Sequence, residues 1–202
     1  MEIKRRSQAQ RSAATQDALT STARKLWGAR GFAAVGTPEI ARTAGVTRGA
    51  MYHQFADKTA LFRAVIETVE QDVMDRLARA VGASRAKTPA AALRVAVDEW
   101  LRVAADPEVR QLVLLDAPSV LGWDGFRDIA QRYSLGMTEQ LLTEAMRVGQ
   151  LPRQPVRPLA HIFIGALDEA AMVIATADDP KRAQREVRQV LRILLDAMLT
   201  DR

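Results

Sequence analysis

Within seven residues of Thr47 the chain carries Arg48, Gly49, Ala50, Tyr52 and His53, with Thr37 and Lys58 on either side. If Thr47 caps a short helix, its first turn offers Arg48, Gly49, Ala50 and Met51, followed by Tyr52 and His53. An arginine there can donate twice to a guanine edge, and small neighbours allow close approach to a major groove. Gly49 fits that chemistry, because glycine inside a helix costs roughly 1 kcal/mol of propensity and backbone contact with an outside partner would explain the cost. Thr37 and the amides of the helix opened by Pro38 form an anion site. Lys58, in the first turn of a later helix, stands against the dipole preference as a phosphate ligand would. Tyr52 can donate its hydroxyl. Taken singly each has a plain alternative: Thr37 as a cap, Lys58 as solvated charge, Tyr52 at a core edge, His53 at the surface.

The charge distribution favours the first reading. Residues 1–63 hold 11 basic and 4 acidic side chains, a net of +7, whereas residues 64–202 hold 18 basic and 20 acidic, a net of −2. A basic unit joined to a near-neutral larger one suggests a polyanion-binding head on a body with another task, a solubilising N-terminus being the alternative that charge alone leaves open. Enzyme chemistry is poorly supplied. There is no Cys, and only His53 and His161 offer an imidazole. His161 and Asp168 share a helical face, but seven residues rise about 10 Å, too far for one metal ion without other ligands. No Gly-rich phosphate loop or nucleophile elbow is present, so neither an enzyme nor a cofactor is expected.

The elements that must position these residues are helical. Apolar spacing of three and four runs through Phe62, Val65, Ile66, Val69, Val73 and Leu77, and again through Phe126, Ala130, Tyr133, Met137, Leu141, Ala145 and Val148. Thr37-Pro38, Thr88-Pro89, Asp106-Pro107 and Asp179-Pro180 read as N-caps before a proline at the first helical position. Gly31 and Gly45 read as left-handed helix ends. With no alternating strand pattern, the class is all-α, about nine helices near 10–30, 38–44, 48–54, 58–81, 89–105, 107–116, 120–148, 157–177 and 180–200. Gly82 through Thr88 reads as the joint between head and body.

Two helices are apolar on more than one side. Ile162, Phe163, Ala166, Ala170 and Val173 line one face of 157–177, and Ile164, Leu167, Ala171 and Ile174 another; Val187, Val190, Leu191, Leu194 and Met198, with Ile193 and Leu195, broaden the last helix. A surface helix needs one stripe, so the excess suggests a homodimer through helices 157–177 and 180–200, the alternative being one large core. The stretch from Leu159 to Ala177 is membrane-like in length, but Asp168 and Glu169 at mid-bilayer would each cost roughly 2–3 kcal/mol. No membrane association is therefore expected. The basic start Met1-Glu2-Ile3-Lys4-Arg5-Arg6 is followed by no apolar run, which points to a cytoplasmic address rather than a secretory signal.

The ordered set Leu26-Trp27, Gly31-Phe32, Thr37, Ile40-Ala41, Ala44 through Gly49, Met51-Tyr52-His53, Phe55, Lys58 and Leu61-Phe62 resembles the TetR-type (TetR/AcrR-like) bacterial transcriptional regulators. The resemblance implies a helix-turn-helix head over 8–57 with its motif at about 36–55, a connecting helix over 58–81 and a ligand-binding, dimerising helical body over 82–202. It implies phosphate contacts from Thr37, Thr47, Tyr52 and Lys58, and groove contacts from Arg48, Gly49, Ala50 and His53. Gly36 and Gln54 depart from the family pattern, which holds Thr and an aromatic or His there. A dimer would read double-stranded DNA as a near-palindromic operator with half-sites about 34–36 Å apart or a multiple of that. The implied regulation is a repressor released by a small hydrophobic or aromatic effector. Trp100, Trp123, Phe126, Tyr133, Met137 and Phe163 are the candidate effector contacts, with Asp116, Asp168 and Glu169 available to orient a polar group. The competing class is an all-α small-molecule carrier or interaction module whose basic head binds an acidic protein.

Overall fold

In the computed structural model of this chain, residues 8–199 are described. The basic start from Met1 to Arg6 and Thr200, the expected end of the last helix, lie outside them. Among the described residues there is no strand. The helices are α1 (Gln8–Arg30), α2 (Thr37–Thr43), α3 (Arg48–Gln54), α4 (Lys58–Ala83), α5 (Pro89–Ala104), α6 (Pro107–Val109), α7 (Ala117–Arg147), α8 (Val156–Thr176) and α9 (Pro180–Met198). Between α6 and α7 the chain winds as a π-helix over Arg110–Asp116, which periodicity alone did not reveal.

Local chemistry sets most boundaries. Thr88, Asp106 and Asp179 cap their helices as expected, accepting from Ala91, Glu108 and Arg182 amides at 3.2, 2.9 and 3.0 Å. Thr37 does not. Helix α2 is capped by Gly36 with no side-chain bond, and the Thr37 hydroxyl is drawn instead toward Tyr52. Gly45 turns left-handed at φ +70°, so the Gly45 and Val46 amides close on the Arg42 and Ala41 carbonyls at 3.1 and 3.0 Å. Gly31, at φ +80°, ends α1 in the same region. The expected break near Pro118 is displaced. Pro118 sits in the opening turn of α7, and the chain departs from helical geometry at Gly122, with φ +71° and ψ 164°.

The short helices α2 and α3 are too small to stand alone and are held by an aromatic trio, two of its rings fully buried and one half-buried. Trp27, Phe32 and Phe62 pack with centroids 4.9–5.4 Å apart, and the Trp27 indole donates to the Val35 carbonyl at 3.2 Å. Met51, Ile40 and Leu19 complete this head. Its core does not stop at 84–88. Apolar contact continues along α4 through Val65, Val69 and Val73 to Trp100, Leu112, Phe126 and Ala171, so α4 belongs to both halves. Polar ties reinforce the seam: Arg24 of α1 bridges Asp72 and Glu108 at 2.5 and 2.8 Å, and Asp116 accepts from the Phe32 amide at 2.8 Å.

Helices α8 and α9 complete a second core around Leu93, Leu101, Leu142 and Ala160. Ile164, Ala171, Ile174, Leu191 and Leu195 are buried in the chain, whereas Ile162 is 70% exposed and Ile193 60% exposed, with Val173, Val190 and Leu194 also uncovered. By length and composition α8 could cross a membrane. Asp168 and Glu169 occupy its middle.

Candidate nucleic-acid interface and effector cavity

Helix α3 turns one side inward and leaves the other bare. Met51 is fully buried and Phe55, just past the end, nearly so; Thr47, Arg48, Gly49, Tyr52 and His53 are exposed, with Ala50 half-buried between them. The Thr47 hydroxyl accepts from the Ala50 amide at 3.1 Å, fixing the entry of the helix. A Cβ added to Gly49 would meet no atom within 4 Å. Nothing inside the molecule therefore requires glycine there, and the backbone stays open to an outside surface.

Tyr52 lies at the rim of this face. Its hydroxyl is 3.3 Å from that of Thr37, and the Arg48 guanidinium sits over its ring at 5.6 Å. Those two neighbours pull the phenol below its ordinary pKa, the Thr37 hydrogen bond contributing most. Gln54, one of the two departures from the family pattern, is tied to α1, bonding Ser12 at 3.0–3.1 Å. It acts as a strut. Lys58 donates to the Phe32 carbonyl at 2.7 Å with its ammonium 3.9 Å from the Phe32 ring centroid. Partial burial lowers its pKa and the nearby Asp116 opposes that shift. An ammonium has three donors, so two remain for a phosphate.

The candidate effector residues separate. Trp100, Phe126, Met137 and Phe163 line one cavity of about 60 Å³ between α4, α5, α7 and α8. Trp123, 59% exposed, borders an adjoining groove of about 430 Å³ between α7 and α8 instead. Tyr133 is not part of the cavity wall: half-buried on α7, it borders a surface hollow with Gln16 and Glu67. Asp116 is also elsewhere, spent on the Phe32 amide. Asp168 lies between cavity and groove, and Glu169 faces the groove alone.

Sequence reasoning missed Glu70. It occupies the apolar face of α4, is only 5% exposed and lines the cavity. Burial pushes its carboxyl up to about 8, with Asp168 adding to the shift, and burial pushes Asp168 up to about 7 against the pull of Arg127. A register signal existed: Glu70 follows Val69 and Ile66 at helical spacing, where a solvated residue would break the stripe.

Comparison with known proteins gives a consistent result. Residues 19–65 match the family described as bacterial regulatory proteins, tetR family, and residues 90–198 match the tetracyclin repressor-like C-terminal domain. The HTH-type transcriptional regulator AcrR of Shigella flexneri is 28% identical over 196 residues, which span 92% of this chain and 89% of that protein. The Tn10 TetC protein of Escherichia coli is 25% identical over 151 residues, 75% of each chain. A TetR-family transcriptional regulator from Pectobacterium atrosepticum superposes with a TM-score of 0.85 at 30% identity, covering 97% of this chain and 99% of its own.

Proposed function

The chain belongs to the TetR family and is a DNA-binding transcriptional regulator, not an enzyme, and from that premise we propose that it is a cytoplasmic repressor released from its operator by a small effector. The observation that carries this reading is the bare face of α3, where Gly49 has no internal reason to be glycine. Arg48, Gly49, Ala50 and His53 face base edges, and Thr37, Thr47, Tyr52 and Lys58 hold the flanking phosphates.

A second copy of the chain covers the exposed sides of α8 and α9. Ile162, Val173, Val190, Ile193 and Leu194 are too many large apolar groups to leave to water on one side of a body. A two-fold dimer through α8 and α9 buries them and sets two heads for a near-palindromic site. Effector entering beside Phe126 and Trp100 strains the walls of the cavity, one of which is α4, the helix that also carries the head. The liganded form need favour the released head spacing by only about 1–3 kcal/mol for effective control.

Selection of genomic fragments on the purified full-length protein, followed by gel shift of the recovered site, tests the DNA reading. A preferred inverted repeat is the expected outcome; equal retention of all fragments would overturn it. Light scattering of the same sample reports the dimer.

A further inference from the structure

We propose that the cavity between α4, α5, α7 and α8 receives the cationic head of an amphipathic ligand, an amine or quaternary ammonium on an aromatic or alkyl body, held between the carboxylates of Glu70 and Asp168. This rests on the effector-responsive reading of the body.

The hydrogen-bonding inventory of the cavity wall decides the sign of the ligand. Trp100 donates its indole N–H to the Leu167 carbonyl at 3.1 Å, Ser134 donates to Ala130 at 2.7 Å and Thr138 to Ser134 at 2.9 Å. These wall donors are spent on backbone. Glu70 and Asp168 make no side-chain hydrogen bond or ion pair among the described residues, their charged neighbours acting only through space, and both line the cavity. Near neutral pH these acids retain protons, and once ionised they present acceptors without donors. The ionised pair cannot complement an anion, and a ligand that brings N–H groups or positive charge takes the place of the retained protons.

The rest of the lining agrees. Trp100, Phe126 and Phe163 are aromatic, the side chains that attract a cation, and Met74, Val97 and Met137 are apolar. Phe126, Ala130, Ile164 and Asp168 are shared with the groove, so a ligand larger than the cavity of about 60 Å³ seats its head there and lays its body toward Trp123 and Met172. Glu70 is faced by Asp168 from α8 and by Tyr133 from α7; Asp168 is also faced by Arg127 from α7, and α5 contributes no titratable group to the wall. An arriving cation relieves the repulsion between the two acids and displaces the protons they retain. Its affinity rises as pH climbs through about 7 and about 8.

Calorimetric titration of the full-length protein with phenylbutylamine, its neutral counterpart phenylbutanol and the anion phenylbutyrate tests this. The amine should bind about tenfold tighter than the alcohol, as expected for a charge-assisted hydrogen bond. Glu70→Gln and Asp168→Asn, each checked for helicity by circular dichroism, should erase that preference while retaining the alcohol. Either variant alone suffices if the other does not fold. Equal binding of amine and alcohol, no amine binding at millimolar concentration, or undiminished amine binding in both variants overturns the proposal. A gel shift of the wild type separates the two readings. Charge-selective amine binding that leaves the DNA complex intact defeats effector release but keeps the site, whereas release of DNA by amine and alcohol alike keeps effector control and defeats the site.

Discussion

The head and the body break the ordinary burial pattern in opposite directions. The head hides its large apolar side chains completely, Trp27, Phe62 and Met51 among them, and leaves Arg48, Tyr52 and His53 on the outside. The body does the reverse. It leaves Ile162 and Ile193 exposed and buries the carboxyl of Glu70. A polyanion is met by exposed charge on a rigid mount. The second subunit and small ligand proposed for the body would be met by unspent apolar surface and a buried acid.

The mount is the first thing to break. Trp27→Ala should lower stability by about 3–5 kcal/mol, read by urea denaturation, because it empties the centre of the aromatic trio. Ile193→Asp should leave the isolated chain nearly as stable, since the residue is already solvated there, yet convert the dimer to monomer in light scattering. Affinity for a two-half-site operator would then fall roughly a hundredfold through lost avidity; an unchanged dimer would make that face ordinary surface. The buried acid should appear in the pH dependence of melting. Glu70 and Asp168 have raised pKa values in the folded state, so their contribution is present at low pH and is lost as pH climbs toward about 8 and about 7. Stability should fall across that window, and Glu70→Gln should recover about 1–3 kcal/mol at its alkaline end.

Two smaller effects probe the head. Arg48→Ala should cost about 1–3 kcal/mol at the preferred site and relax base choice at one position per half-site, measured across a site library. Lys58→Ala should weaken binding to all sequences and flatten the salt slope by about 0.9 per subunit if it neutralises one phosphate. Because Lys58 also holds the Phe32 carbonyl, the slope rather than the affinity is the informative readout.

The head was legible almost residue by residue because its determinants are local. A capping Thr47 and a left-handed Gly45 are set by spacings of a few positions, and they fix α3 wherever the rest of the chain goes; Met51, expected in the turn offered outward, is instead fully buried against the head. The exception at Thr37 is instructive: a contact fifteen residues away, with Tyr52, claimed a hydroxyl that local pattern assigned to a cap. In the body, periodicity located the helices but not their inner registers. Tyr133 and Phe126 lie on one apolar repeat of α7, yet one faces a surface hollow and the other the cavity.

What the sequence alone determined is the all-α class, the helix starts and stops, the basic head and the surplus of apolar faces on α8 and α9, all properties of neighbours along the chain. Tertiary structure decided that Glu70 and Asp168, 98 residues apart by their numbering, share one cavity, and that the wall donors around them are already taken. No spacing rule reaches across helices. The packing of α4 and α8 against α7 chooses which side chains meet, and the free energy of leaving an acid unpaired exists only once they do.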